Sequence, residues 1–303
     1  MNKLILLTIT LLLNFSVWSQ NQTMSPEAKK TYDDIKTTLG SVPTFLKDFP
    51  QEGISGAWLD MKNLQLNPNT NISGKYKELI GLAVSAQVPC SYCVYFHTQA
   101  AILNGATEQE IKEAVAMAAT TRRWSTILSG TQTDEAEFRR EVDQLLSIQN
   151  KNKNRQAMEE KPVVVEMKTP QDAYADIERT LGFVPAYMKN YPQQSIIGAW
   201  KEMKGIELNP ATAIPGKYKE LIGLAVASQI PCSYCTYFHT QTAIFNGANK
   251  DELLEAVAMA GITRQWSTVI NGQHMDEKKF RDETDQVMKF LKEKQQKSMT
   301  VKN

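Results

Sequence analysis

The sequence is short of several things, and each shortage excludes a class of protein. Four cysteines in 303 residues are too few for a disulfide scaffold, so their positions matter more than their number. Charge of one sign is missing: 34 basic residues face 33 acidic ones, a formal net charge of +1. No strong field steers the chain to nucleic acid, and it has no long basic run or RNA-binding motif. Fifteen glycines and twelve prolines do not suggest the dense turns of a small β-sandwich, and no convincing alternating β run is found. No stretch reaches the ~20 consecutive apolar residues of a membrane-spanning helix. What remains, 42% hydrophobic and 22% charged, is an ordinary globular composition at a length suited to two domains.

The N-terminus reads as an address. Met1 to Lys3 is short and positive, Leu4 to Leu13 is almost unbroken apolar sequence, and Val17-Trp18-Ser19 resembles a cleavage site. This is the layout of a secretory signal peptide over residues 1–19. The alternative is an uncleaved anchor, but the apolar run is short for one. No cysteine follows it directly, which argues against a lipoprotein. The mature protein is expected to be exported (periplasmic or secreted), with no stable membrane insertion after cleavage. Disulfides can form in such a compartment.

The rest of the chain is one sequence written twice. Lys75 to Gln99 and Lys217 to Gln241 agree at 21 of 25 positions, at a constant offset of 142. The same offset carries Leu39-Gly40 onto Leu181-Gly182, Val42-Pro43 onto Val184-Pro185, Trp58 onto Trp200 and Trp124 onto Trp266. The unit is therefore a whole domain, far longer than a solenoid repeat, and each copy is expected to bury its own core. The boundaries read as residues 25–149 and 169–294, joined by an exposed linker over 150–168 and followed by a loose polar tail over 295–303.

Apolar spacing is helical nearly throughout each copy. Ser25-Pro26-Glu27 is an N-cap followed by proline at the first helical position. Leu39-Gly40 ends that helix, and Val42-Pro43 starts a short one. Ser73 can cap a helix through Leu79, Ile80, Leu82 and Ala83. Pro89 marks a break, with a new helix from Cys90 to about Leu103, ended by Asn104-Gly105. Thr107 and Glu110 form a capping-box signature, and the helix after them is expected to place Ile111, Val115 and Ala118 on one face. A last amphipathic helix covers Glu135 to Ser147. The fold expected is all-α: two tandem helical bundles packed as an internal pseudo-dimer.

All four cysteines lie in Cys-x-x-Cys pairs, Cys90 with Cys93 and Cys232 with Cys235, each followed by a histidine, His97 or His239. On a helix Cys93 and His97 are i,i+4 and share a face, so the imidazole can take the thiol proton or stabilise the thiolate. Cys90, after Pro89, sits near a helix N-terminus, where free N–H groups favour a thiolate. Glu78 and Glu220 stand in an otherwise apolar stretch one helix earlier and could orient the histidines. Other readings exist. A Cys-x-x-Cys staple closes a very short loop and would stabilise little. Zinc ligands along one helix make poor tetrahedral geometry. Covalent haem is excluded because Val94 and Thr236 stand where its histidine must be. Glu78 could be a solvated charge and His97 a satisfied core histidine. Tyr92, Tyr95, Phe96, Trp58 and Trp124 could line a pocket but read first as core or subunit-contact residues. Arg122 and Arg264 read as a solvated helix face, and His274 has no counterpart.

The pattern E-x11-C-x2-C-x3-H resembles the AhpD-like branch of the carboxymuconolactone decarboxylase family. Glu78, Cys90, Cys93 and His97 match it, as do Glu220, Cys232, Cys235 and His239. The resemblance implies an all-helical homo-oligomer and a thiol-dependent peroxidase acting on hydroperoxides. It implies that Cys93 and Cys235 are attacked by peroxide, that Cys90 and Cys232 resolve the product as Cys90–Cys93 and Cys232–Cys235 disulfides, and that Glu and His relay protons. No cofactor beyond these disulfides is expected, and the thiol reductant is unassigned. The decarboxylase branch lacks the cysteine pair, so that activity is not carried over. Alternatives are an exported thiol–disulfide oxidoreductase or isomerase, and a non-catalytic helical binding or assembly module.

Overall fold

A computed structural model describes residues 24–153 and 166–300. The segment expected to be a signal peptide and the central part of the expected linker lie outside the described residues. Within them are fourteen α-helices and no strand. The first copy comprises α1 (Pro26–Leu39), α2 (Thr44–Lys47), α3 (Ile54–Asp60), α4 (Gly74–Gln87), α5 (Ser91–Leu103), α6 (Glu108–Gly130) and α7 (Glu135–Lys153). The second comprises α8 (Pro170–Leu181), α9 (Ala186–Lys189), α10 (Gln193–Ile206), α11 (Gly216–Gln229), α12 (Ser233–Phe245), α13 (Lys250–Gly272) and α14 (Glu277–Thr300). A π-helical turn, Met61–Gln65, extends α3. Among the described residues no helix is long and apolar enough to cross a membrane.

The local signals act as physical devices. Ser25 Oγ accepts from the Ala28 N–H at 3.1 Å, and Gly40 closes α1 in the left-handed region at φ 83°. Phe290 of α14 lies so close to Gly40 that a β-carbon would overlap it. Thr107 and Glu110 form the capping box reciprocally. Ser73 occupies the N-cap of α4, but its hydroxyl makes no cap bond, and Pro215 stands there in the second copy. Two helices outrun expectation. α7 continues through Lys153 and α14 through Thr300, helped by the Lys and Gln residues of these ends, which are good helix formers. Val115 faces solvent instead of the core. The buried stripe of α6 is Ala114, Met117, Ala118 and Thr121.

The two copies do not bury separate cores. α4 and α11 lie side by side, flanked by α6 and α13, and one cluster takes Leu79, Ile80 and Val84 together with Leu221, Ile222 and Val226. Each half leaves an apolar face of these helices uncovered, and only the other half covers it. Tyr76 stacks on its own counterpart Tyr218, ring centroids 3.5 Å apart, as expected across a pseudo-twofold axis. Symmetric hydrogen bonds stitch the seam: Glu255 accepts from the N–H of Asn71 and Ile72, and Glu113 from that of Ile214. The outer helices also cross over. α1 to α3 pack on α13 and α14, with Phe45 edge-on to Trp266, while α8 to α10 pack on α6 and α7, with Tyr187 edge-on to Trp124. The pseudo-dimer is therefore interlocked, and each site has walls from both copies.

Candidate active site

Each site starts from two helix ends. The backbone leaves α4 at Gln87 and re-enters a helix at Ser91, which puts Cys90 at the N-cap of α5. Cys90 Sγ accepts from the Cys93 N–H at 3.2 Å, and Cys232 Sγ does the same from Cys235 at 3.2 Å. In the first copy Cys90 and Cys93 form a disulfide, their Cα atoms 5.3 Å apart. In the second both thiols are free, with sulfurs 2.6 Å apart. One turn further on, His97 and His239 point into α4 and α11. His97 Nδ1 lies 2.7 Å from Glu78 Oε2, and His239 Nδ1 lies 2.8 Å from Glu220 Oε2. All four side chains are buried. Glu78 is thus no solvated charge.

The other imidazole nitrogen reaches across the seam. His97 Nε2 faces Thr263 Oγ1 of α13, and His239 Nε2 faces Thr121 Oγ1 of α6, both at 3.3 Å. With Nδ1–H given to the carboxylate, Nε2 accepts the threonine proton, a tautomer assigned from these partners. Both ring nitrogens are used this way, so the imidazole influences the sulfurs across a cavity instead of bonding to them. That cavity, about 30 Å³, is lined by Cys93, His97, Thr263, Trp266 and Phe280. Its twin, also about 30 Å³, is lined by Cys235, His239, Thr121, Trp124 and Phe138. Such a space suits one or two water-sized molecules, hence a peroxide group. Cys93 and Cys235 face it.

The open dithiol shows how the site handles charge. The Cys232 thiol is acidified to about 6, first because the Cys235 thiol donates to it, with help from Ser125 and the Cys235 N–H, against the opposing effect of burial. The Cys235 thiol is pushed up, first by giving its proton to Cys232 and then by burial. The pair therefore behaves as one acid that shares a proton. Burial disfavours charge on His239, but the hydrogen bond and charge of Glu220, with the charge of Glu207, hold its pKa above the ordinary value.

A profile of the carboxymuconolactone decarboxylase family matches residues 54–132 and 197–272. Together these cover just over half of the chain, one match in each copy. The chain belongs to the carboxymuconolactone decarboxylase family. A crystal structure of a proposed gamma-carboxymuconolactone decarboxylase subunit from Burkholderia xenovorans aligns with a TM-score of 0.51. It is 15% identical, covering 89% of this chain and 99% of that one, and it supports the fold alone. No curated protein matches the sequence significantly.

Within this family member the motif residues come together, but several partners were not foreseen. Thr121, Thr263 and Ser125 lie on the helix after the motif and act on the opposite copy, so spacing within one copy does not reveal them. Gly81 and Gly223 are a second omission. A β-carbon at either would overlap the imidazole of His97 or His239, so these glycines make the space the ring occupies. A glycine inside the buried helical run LIGLAV is the signal that marks them. Gln65 and Glu207 complete the set. Gln65 Nε2 donates to Glu78 at 3.2 Å, whereas Glu207 lies 3.9 Å from His239 Nδ1. Glu207, Glu220 and His239 each bring one ligand atom within 4.8 Å of the others. Two of those atoms already bond to each other, and burial followed by the charge of Glu220 raises Glu207 to about 7, so we read the trio as sharing protons.

Of the remaining expectations, Trp266 and Trp124 line the cavities of the opposite copies. Trp58 is structural: it is fully buried and donates to Asp34 at 2.6 Å. Tyr92 and Tyr95 tie α5 to the other copy, through the Met275 carbonyl and Asp285. Arg122, Arg264 and His274 are exposed.

Proposed function

We propose that the chain is a thiol-dependent peroxidase of the AhpD-like kind. Family membership supports an enzyme, and the cysteine pair directs the reading to redox chemistry. The observation that carries it is the small cavity shared by Cys93 and His97, and again by Cys235 and His239, sized for a peroxide group. The thiolate of Cys93 or Cys235 attacks the distal oxygen of a hydroperoxide. An S–O bond forms, the O–O bond breaks, and the departing alkoxide takes a proton from the Thr–His–Glu chain. The partner cysteine, 90 or 232, then attacks the sulfenic sulfur; the disulfide forms and water leaves. An external dithiol restores both thiols and is itself oxidised. Thiolate character passes from Cys232 to Cys235 along their short S–S contact as the proton moves the other way.

The acidity of Cys232 favours a second reading, exchange with client disulfides. Burial of both cysteines opposes it, since a bulky protein disulfide reaches them less readily than a small peroxide or a small dithiol does. The test is peroxide consumption with a dithiol donor. Cys93→Ser/Cys235→Ser should fall to the uncatalysed rate, and equal rates for wild type and variant would remove the proposal. Export through residues 1–19 is part of the same proposal and predicts a reductant outside the cytoplasm.

A further inference from the structure

A larger cavity lies behind the first site, and it has no role in the chemistry above. It measures about 490 Å³, within the range of small-molecule pockets. Its lining is largely apolar, with Leu39, Leu66, Leu103, Val287, Met288 and Leu291 among the walls. One stripe of α14 lines it from Glu283 to Ser298, a rise of about 22 Å at about 1.5 Å per residue. The space is a slot, shaped for a chain and not for a compact molecule. Its inner wall is Phe45, Met61, Gln65, Phe96 and Phe280, which also form the wall of the Cys93 cavity.

Charge is distributed unevenly along the slot. Glu78 stands at the inner end, bound to His97, and Glu283 is engaged by the N–H and hydroxyl of Thr44 at 2.8 and 2.6 Å. The positive group of the lining is Lys294, on the outer part of α14. An anionic head is repelled from the inner end and attracted to the outer one.

The second copy is built differently at the matching positions. Ala100 and Leu103 become Thr242 and Phe245. Thr242 Oγ1 donates to Glu220 at 2.6 Å, taking up the inner end. Leu291 becomes Gln149, whose amide donates to the Thr180 carbonyl at 3.0 Å, across the place where Thr38 and Leu291 leave the first slot open.

We propose that the slot of the first copy binds a linear aliphatic carboxylate, with its chain along α14 and its head at Lys294. Resting on the peroxidase reading, this makes long-chain fatty hydroperoxides substrates of the first copy and leaves small hydroperoxides to the second.

The test uses the full mature chain and cis-parinarate, a fluorescent fatty acid without a hydroperoxide. Saturable binding displaced by palmitate is expected. Ala100→Thr/Leu103→Phe, which imports the second copy's residues, should weaken binding about tenfold or more. Lys294→Gln, on the exposed side of the slot, should weaken the acid but not its methyl ester. Absence of saturable binding, or an affinity unchanged by Ala100→Thr/Leu103→Phe, overturns the slot. Equal loss or no loss for acid and ester overturns the carboxylate assignment. If parinarate binds as expected and no hydroperoxide is turned over, the slot stands and the peroxidase reading falls.

Discussion

At position 65 the first copy carries glutamine, and at the matching position 207 the second carries glutamate. Around this difference the sites are otherwise near replicas: the same imidazole, the same carboxylate beneath it, the same threonine from the opposite copy. Gln65 donates to Glu78 at any pH. Glu207 can play that part only while it holds a proton, because two carboxylates in one dry pocket cannot both ionise cheaply. Duplication thus preserved the reacting groups and changed the buffer behind them. Ala100 against Thr242 and Leu103 against Phe245 follow the same logic along the proposed slot. The two halves are better viewed as two enzymes sharing one core than as one enzyme repeated.

The comparison is broken most severely by removing the space for the ring. Each copy is read alone by disabling the other, with Cys232→Ser/Cys235→Ser or Cys90→Ser/Cys93→Ser. Gly81→Ala should then abolish turnover in the first copy and Gly223→Ala in the second, because the added methyl overlaps the imidazole. Overpacking should also cost about 1–3 kcal/mol of stability, measurable by denaturant unfolding. Full activity in either variant would show that the ring position is immaterial.

A smaller effect tests the interlocking. Thr263→Val removes the hydroxyl from His97, and Thr121→Val removes it from His239. A buried hydrogen bond of about 1 kcal/mol corresponds to roughly a fivefold change in rate. The loss must appear in the copy that does not contain the substitution. Turnover in the two single-site backgrounds checks this, and loss in the substituted copy would overturn the shared-wall arrangement.

The sequence made much of this legible, for definable reasons. The caps at Ser25, Thr107 and Gly40 are local, so spacing alone reveals them. The meeting of Glu78 with His97 was also legible: a lone acid in an apolar run needs a partner, and the next helix offered one. What could not be read was anything set by how the copies pack. Val115 reads as core on periodicity, yet the seam buries the face beside it. Thr121 and Thr263 are ordinary helical threonines until the other half arrives. Separate cores were expected from domain length. The uninterrupted apolar stretch of α4 and α11, buried on every side, is the one hint that these helices lie inside something larger than a single copy.

The finest difference is read by pH. Glu207 ionises near 4.5 when unfolded and near 7 when folded, so between those values the native state binds more protons. Stability from this group is therefore full below about 4.5 and lost as pH rises through about 7. His239, whose pKa is raised in the fold, contributes in the same direction. Glu220, Lys219 and His239 are the charged groups that act on Glu207, and Glu207→Gln leaves each of them in place. The variant should match wild type near pH 4.5 and exceed it by about 1–3 kcal/mol at pH 8, by thermal unfolding at both values. The second copy's rate should then lose the inflection near 7 and keep the one near 6 set by Cys232. An inflection near 7 that survives Glu207→Gln would assign it to another group and leave the two copies electrostatically alike.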